Sequence, residues 1–360
     1  MQWPDSSLTE RLSLTRPIIQ APMAAISTAA LVSAVSAAGG LGSLGSAILT
    51  AAQIREQVTA IRSRTERPFA LNFFTHRAPA LDSAMAATAQ ARLAPYRAAL
   101  GLSEAPVPTP PPPFDDAMLE CVLDLAPAAV SFHFGLPPAA ACAALKRAGI
   151  FLLGSATTVE EATALEAAGL DALIAQGFEA GGHRGTFTEP FELGEIGLFS
   201  LLPQVVDAVR IPVVAAGGIA DGRGIAAALA LGAKGVQLGT AFLGCPEAAI
   251  DPLFRRTLHE PRAVHTQLTR AFTGRPARAI ATRFIAEMAA DAANTLEFPL
   301  QYGLTAPLGR AAASKNDPEF LAMWAGQSAP LVRTLLAAEL IETLERETER
   351  ALHRLARPSA

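Results

Sequence analysis

Cysteine is scarce in this chain. There are three in 360 residues, Cys121, Cys142 and Cys245, and their odd number and wide spacing suggest neither a disulfide framework nor a clustered metal site. No H-x-x-x-H or C-x-x-C spacing occurs, so no metal-ligand set is expected. A G-x-S-x-G nucleophile elbow is also missing, which removes the Ser-His-Asp hydrolases of that type. Basic stripes interleaved with aromatics are absent and the formal charge is -4, so no nucleic-acid partner is expected. The cysteine usage fits a reducing cytoplasm, and Asp5 and Glu10 precede any apolar run, which argues against a signal peptide. Charge is missing altogether between Pro17 and Ile54, a length that a membrane span would need. Pro22 and the cluster Gly39-Gly40-Leu41-Gly42 cut it into shorter pieces. A strand, helix and strand of a buried barrel, with no membrane contact, account for it better.

Hydrophobic residues make up 51% of the chain, enough for a large core, and α/β barrels commonly reach about 250 residues as one domain. Short apolar runs recur and end in glycine or polar residues. Pro17 to Ala21 ends in Pro22-Met23-Ala24, and Ser27 or Thr28 suits the N-cap of the helix that follows. Gly40, Gly42 and Gly45 spell G-x-G-x-x-G, but a helix precedes them, whereas a dinucleotide fingerprint needs a strand there. They belong instead to a second strand, Leu41 to Leu44. A third, Pro68 to Asn72, ends in an amide that offers both donor and acceptor. The segment from Thr75 to Phe114, with its proline-dense Pro106 to Pro113, breaks the pattern and reads as an insertion over the catalytic face.

The count continues with Ala129 to Gly135, which carries His133, and Ile150 to Leu153. A helix opened by a Thr158-Val159-Glu160-Glu161 capping box follows. The sixth strand runs into the richest stretch of the chain, Gln176-Gly177-Phe178-Glu179-Ala180-Gly181-Gly182-His183-Arg184-Gly185. Pro212 to Ala215 leads to Gly217-Gly218, and Gly235 to Leu238 leads to Gly239-Thr240. Eight βα units result, with polar and glycine positions gathered at strand exits, as at the active end of a TIM barrel. Loops after the seventh and eighth barrel strands commonly bind a phosphate through backbone N–H groups. Lys234, at a strand entrance, is given no role. After Ala241 the pattern reads as helical, interrupted at Phe298 to Thr305, and ends in a polar-faced helix from Leu331 to Leu355.

The expected fold is therefore an α/β TIM (β/α)8 barrel with an insertion after strand three and a helical C-terminal extension over the catalytic face. Residues 10–74 and 115–259 form the barrel, and residues 75–114 and 260–360 the covering region.

The stretch from Gln176 to Gly185, together with Ser131-Phe132-His133-Phe134-Gly135, resembles the signature of the nitronate monooxygenases, FMN-dependent flavoproteins on a TIM barrel. The resemblance covers most of the chain. It implies oxidation of an anionic alkyl nitronate with O2 to a carbonyl compound and nitrite. His183 is then the catalytic residue, acting as an anion donor or as a base. His133 and Tyr302 would contact substrate. Pro22, Met23, Ala24, Asn72, Gln176, Gly181, Gly182, Gly217, Gly218, Gly239 and Thr240 would hold FMN, whose single phosphate matches the two glycine exits. Arg184 would support the loop or touch substrate. A related FMN barrel, the enoyl-acyl-carrier-protein reductase that oxidises NAD(P)H, is the alternative; its signature usually has glutamate where this chain has Gln176. A flavin-binding sensor without turnover is a further one. The protein is expected to be a monomer or homodimer.

Overall fold

The computed structural model describes residues 3–103, 114–188, 190–290 and 294–356. Eight parallel strands form one sheet: β1 (Ile18–Gln20), β2 (Gly42–Gly45), β3 (Phe69–Phe74), β4 (Ala129–His133), β5 (Phe151–Ala156), β6 (Ala172–Gln176), β8 (Val213–Ala216) and β9 (Gly235–Leu238). β9 pairs with β1, and an isolated parallel bridge between Ile19 and Leu41 closes the ring. The chain is thus the TIM barrel expected from its strand exits, with helices outside.

Alternation along the strands separates two packing layers. Ile19, Ala70, Leu153, Ile174 and Val214 fill the barrel interior, while Ile18, Leu71, Leu152, Leu173 and Val236 meet the surrounding helices. Each fully buried Leu or Ile among them contributes about 1.5–3 kcal/mol by leaving water. Helix starts follow local chemistry: Thr28 caps Ala29–Ala37, and Thr50 with Gln53 forms a capping box on Ala51–Arg62. Thr158 caps Val159–Ala167, but the expected reciprocal bond from Glu161 is not made. That carboxylate is fully buried and bonds elsewhere.

A second apolar cluster stands over the catalytic end. Helix Ser83–Leu100, inside the insertion, contributes Ala89, Leu93 and Leu100. These pack in one cluster with Leu300, Leu304 and Leu308 of helix Leu300–Ser314. The whole proline-dense run, Pro106 to Pro113, lies outside the described residues. The region after Ala241 is not purely helical as its sequence suggests. It contains a hairpin of β10 (Thr266–Thr269) and β11 (Ala277–Ile280), whose free edge takes β7 (Gly182–His183) as a third antiparallel strand. Strands of four residues such as Ala277-Arg278-Ala279-Ile280 are too short and too alanine-rich to show a clear period of two.

The last helix, Ala337–Ala356, returns to the barrel wall. It buries Ala337, Leu340, Ile341 and Leu344 in the barrel's outer layer, and Glu347 accepts the amide of Gly222 at the start of helix Gly222–Ala230. No helix among the described residues is long and apolar enough to cross a membrane.

Candidate active site

The strand exits surround a cavity of about 750 Å3 between the barrel and its cover, within the roughly 300–1,000 Å3 typical of small-molecule and cofactor sites. Pro22, Met23, Ala24, Asn72, His133, Gln176, Gly181, Gly182, His183, Gly217, Gly218, Gly239, Thr240 and Tyr302, all named from sequence, line it.

One side of the cavity is backbone. Gly217 (φ +106°) and Gly218 (φ +70°) follow β8 in conformations that side chains rarely adopt. Among the described residues neither amide donates to a backbone carbonyl. The adjacent exit of β9 adds Gly239 and Thr240, whose Oγ1 accepts the N–H of Gly326 at 2.9 Å. Exposed amides on a glycine turn form a natural cradle for an anionic oxygen group. Across the floor, the loop at Pro22–Ala24 is stapled by Ser27 Oγ, which accepts the Met23 amide at 2.9 Å. Asn72 Nδ2 donates to the Ser131 carbonyl (3.1 Å) and hydroxyl (2.9 Å), fixing the amide inside the barrel mouth.

The opposite side is built from side chains. His183 occupies β7, held to Ala277 of β11. Its carbonyl receives two donors, Gln176 Nε2 at 3.0 Å and His133 Nε2 at 3.2 Å. Gln176 Oε1 accepts both the Gly185 amide (2.8 Å) and the Arg184 guanidinium (3.1 Å). The Gln176 amide is therefore engaged chiefly in holding the histidine turn. Arg184 is 3% exposed and donates further to the carbonyls of Gln176, Gly177 and Gly194. It supports the loop and does not line the cavity. Glu161 completes the scaffold by accepting the amides of Thr157 (2.7 Å), Phe187 (2.6 Å) and Thr188 (3.0 Å).

Sequence reasoning missed the aromatic walls. The rings of Phe298, Phe134, Trp324 and Phe74 lie 5.3, 5.6, 5.6 and 6.0 Å from that of His183. His76 packs on Phe298 at 4.8 Å, and Arg275 stacks 3.9 Å from the Phe134 centroid. Thr273 bonds His183 directly. Phe134 stood in a quoted motif, and Phe74 and His76 follow Asn72 in the chain. Thr273, Phe298 and Trp324 arrive from the extension, and their convergence has no local signal. Burial in this apolar enclosure, reinforced by His133, Arg275 and His76, lowers the His183 pKa to about 3. Burial likewise brings His133 and His76 to about 4, with Arg275 adding to both and the His183 carbonyl opposing the shift at His133. All three imidazoles are neutral at pH 7; Arg275 stacks on Phe134 without lining the cavity, whereas Arg310 of helix Leu300–Ser314 lines it.

A closed barrel with its polar groups at the strand exits and a roofed cofactor-sized cavity is the frame of a TIM-barrel enzyme acting on small molecules. A family model described as nitronate monooxygenase matches residues 5–347. A protein named nitronate monooxygenase from Paraburkholderia phytofirmans is 45% identical over 360 aligned residues, covering 97% of this chain and 96% of that one. The nitroalkane oxidase from Streptomyces ansochromogenes, solved as crystal structures, superposes with a TM-score of 0.91 at 44% identity, over 97% of this chain and 99% of the other. FabK from Thermotoga maritima is more distant, with a TM-score of 0.76 at 29% identity and 97% of each chain covered. The chain belongs to the nitronate monooxygenase family. It is a flavin-dependent oxidoreductase, and its substrates are nitronates and oxygen.

Proposed function

We propose that the flavin is FMN and that His183 is the catalytic residue. The observation that carries the cofactor assignment is the pair of neighbouring glycine exits, Gly217-Gly218 and Gly239-Thr240, which together make one anion cradle on one side of the cavity. One phosphate fits one cradle. Pro22, Met23, Ala24 and Asn72 would carry the ring system, with Gly181 and Gly182 at its approach and Gln176 fixing the turn beside it. Bound there, the flavin supplies the electron acceptor for the nitronate and the electron donor for oxygen, and the products are a carbonyl compound and nitrite.

The protein's own contribution is placement and a dry enclosure. The aromatic wall excludes water, His183 holds the nitro end of the substrate, and His133 keeps the His183 backbone in place while facing the same space. Tyr302 is 45% exposed on helix Leu300–Ser314 and stands at the cavity wall, where it would contact the substrate's tail. We assign residues 10–74 and 115–259 to the cofactor barrel and residues 75–114 and 260–360 to the covering region, except that helix Ala337–Ala356 of the latter packs on the outer barrel wall. The three cysteines are buried free thiols, in keeping with a cytoplasmic location.

Heat release of the yellow cofactor, followed by mass measurement, tests the first part: FMN is expected, and FAD overturns it. In an anaerobic titration a nitronate should reduce the flavin and NADPH should not; rapid NADPH oxidation would move the protein to the reductase alternative. His183→Asn should keep the cofactor and lose about 10²–10⁴ in turnover, the usual contribution of a positioned acid, base or donor. Undiminished turnover with cofactor bound would remove His183 from the chemistry.

A further inference from the structure

His183 has two ring nitrogens, and only one of them is tied to the protein. Nε2 lies 2.9 Å from Thr273 Oγ1. Nδ1 has no partner among the described residues and is not among the buried unpaired nitrogens, so it opens into the cavity that His183 lines. Thr273 is 3% exposed and sits in the turn between β10 and β11, the hairpin that also carries β7.

Which nitrogen carries the proton follows from the surroundings of the threonine hydroxyl. Besides Nε2, Oγ1 has the Arg275 carbonyl at 3.3 Å and the Arg275 amide at 3.4 Å. A hydroxyl has a single hydrogen to give, and O–H···O bonds cluster near ~2.7–2.8 Å, so the carbonyl is far for an acceptor while Nε2 stands at bonding distance. With the Arg275 amide directed at a lone pair of Oγ1, the hydroxyl can donate its hydrogen bond to Nε2, the nearer of its two acceptors. A neutral imidazole that accepts at Nε2 carries its proton at Nδ1.

We infer that Thr273 is a positioning residue whose hydroxyl holds His183 in the Nδ1–H tautomer, so that the imidazole meets an anionic nitronate as a neutral hydrogen-bond donor and not as a base. This rests on reading the cavity as the nitronate site. No proton is transferred: the Nδ1–H bond stays intact while it points at a nitro-group oxygen. Among the described residues, the charged and titratable groups acting on His183 are His133 from β4, His76 from the loop after β3 and Arg275 from the hairpin, and Tyr302 and Arg310 line the same cavity; none is a carboxylate that would favour an imidazolium. A neutral nitroalkane, which needs a base, finds no lone pair of His183 facing it.

The test uses the holoenzyme labelled with 15N-histidine, with the His183 signals assigned by their loss in His183→Asn. Wild type and Thr273→Ser should both show His183 protonated at Nδ1. Thr273→Val, with the same shape and no hydroxyl, should lose that preference and lower nitronate kcat/KM about 10²-fold, the scale of removing one preorganised donor. An unchanged thermal melt and full flavin content in the valine variant separate this loss from misfolding, and the serine variant should restore both the NMR signature and the rate. An Nε2–H tautomer in wild type overturns the inference, as does a valine variant that keeps both the signature and the rate. Failure of the nitronate reading is seen separately, as a wild-type flavin that a nitronate leaves unreduced.

Discussion

The two ends of this barrel carry charge in opposite ways. At the strand entrances, charges pair with each other near solvent: Lys234 Nζ with Asp5 at 2.9 Å, Arg11 with Asp171 at 3.1 Å, and Lys146 with the same carboxylate at 3.4 Å. At the strand exits the buried charges Arg184 and Glu161 pair instead with backbone. Arg184 holds three carbonyls, and Glu161 ties the amide of Thr157, after β5, to those of Phe187 and Thr188 in the loop after β7. Ion pairs in water contribute little because hydration competes with them. A buried charge satisfied by several backbone groups cannot be removed without leaving those groups unpaired. The first arrangement decorates a stable frame, and the second holds an irregular loop in one geometry.

The sharpest way to break this contrast is Arg184→Met, which keeps most of the volume and removes every donor. Stability to denaturant should fall by about 3 kcal/mol or more, since several buried acceptors lose their partners, and turnover should fall with it as the His183 turn loosens. A loss no larger than that of a surface pair would show that the turn is held by the β7–β11 ladder alone.

A smaller effect is expected from Gly217→Ala. The new Cβ would lie 3.1 Å from the Ala180 amide and from the Gly177 carbonyl, at a φ of +106°. Strain of about 1–3 kcal/mol should appear mainly as weaker flavin binding, about tenfold for each 1.4 kcal/mol, measured by fluorescence on dilution. Unchanged flavin affinity would remove this turn from the cradle.

Acidification should then act through the exit end. His183, His133 and His76 have folded pKa values near 3, 4 and 4, below the ordinary 6.5. The unfolded chain therefore binds protons that the folded protein refuses. Their contribution to stability is fully present above about pH 6.5 and is lost as pH falls towards about 4 and then 3. The melting temperature should drop between about pH 7.5 and about pH 5, and His76→Phe should flatten that drop; a steeper one in the variant would contradict the assignment.

Lys234→Ala at the other end should do least. Asp5, held near a pKa of about 2 by the Lys234 hydrogen bond, returns to solvent. The cost should stay below about 1 kcal/mol with turnover unchanged, and a loss of activity would break the division between the two ends.

The sequence by itself determined the barrel and the inventory of its mouth. Apolar runs with a glycine or polar exit are local patterns, since a strand buried on both faces must be apolar and a backbone that approaches a ligand must shed its Cβ. That is why Gly217-Gly218, Gly239-Thr240 and the histidine turn are legible in the sequence, and why it offers Ser27 or Thr28 as a cap, of which the structure uses Thr28. Tertiary structure decided how those parts are held and enclosed. The β7–β10–β11 sheet joins residues about a hundred positions apart, and Phe74, Phe134, Phe298 and Trp324 form one wall from four separated segments. Glu161 reads as half of a capping box, yet its carboxylate turns to Phe187 and Thr188 once the loop after β7 arrives with unpaired amides. The neutral state of His183 has the same origin. A pKa depends on what surrounds the group, and the burial and the Arg275 charge that lower this one are complete only when the extension folds over the barrel mouth.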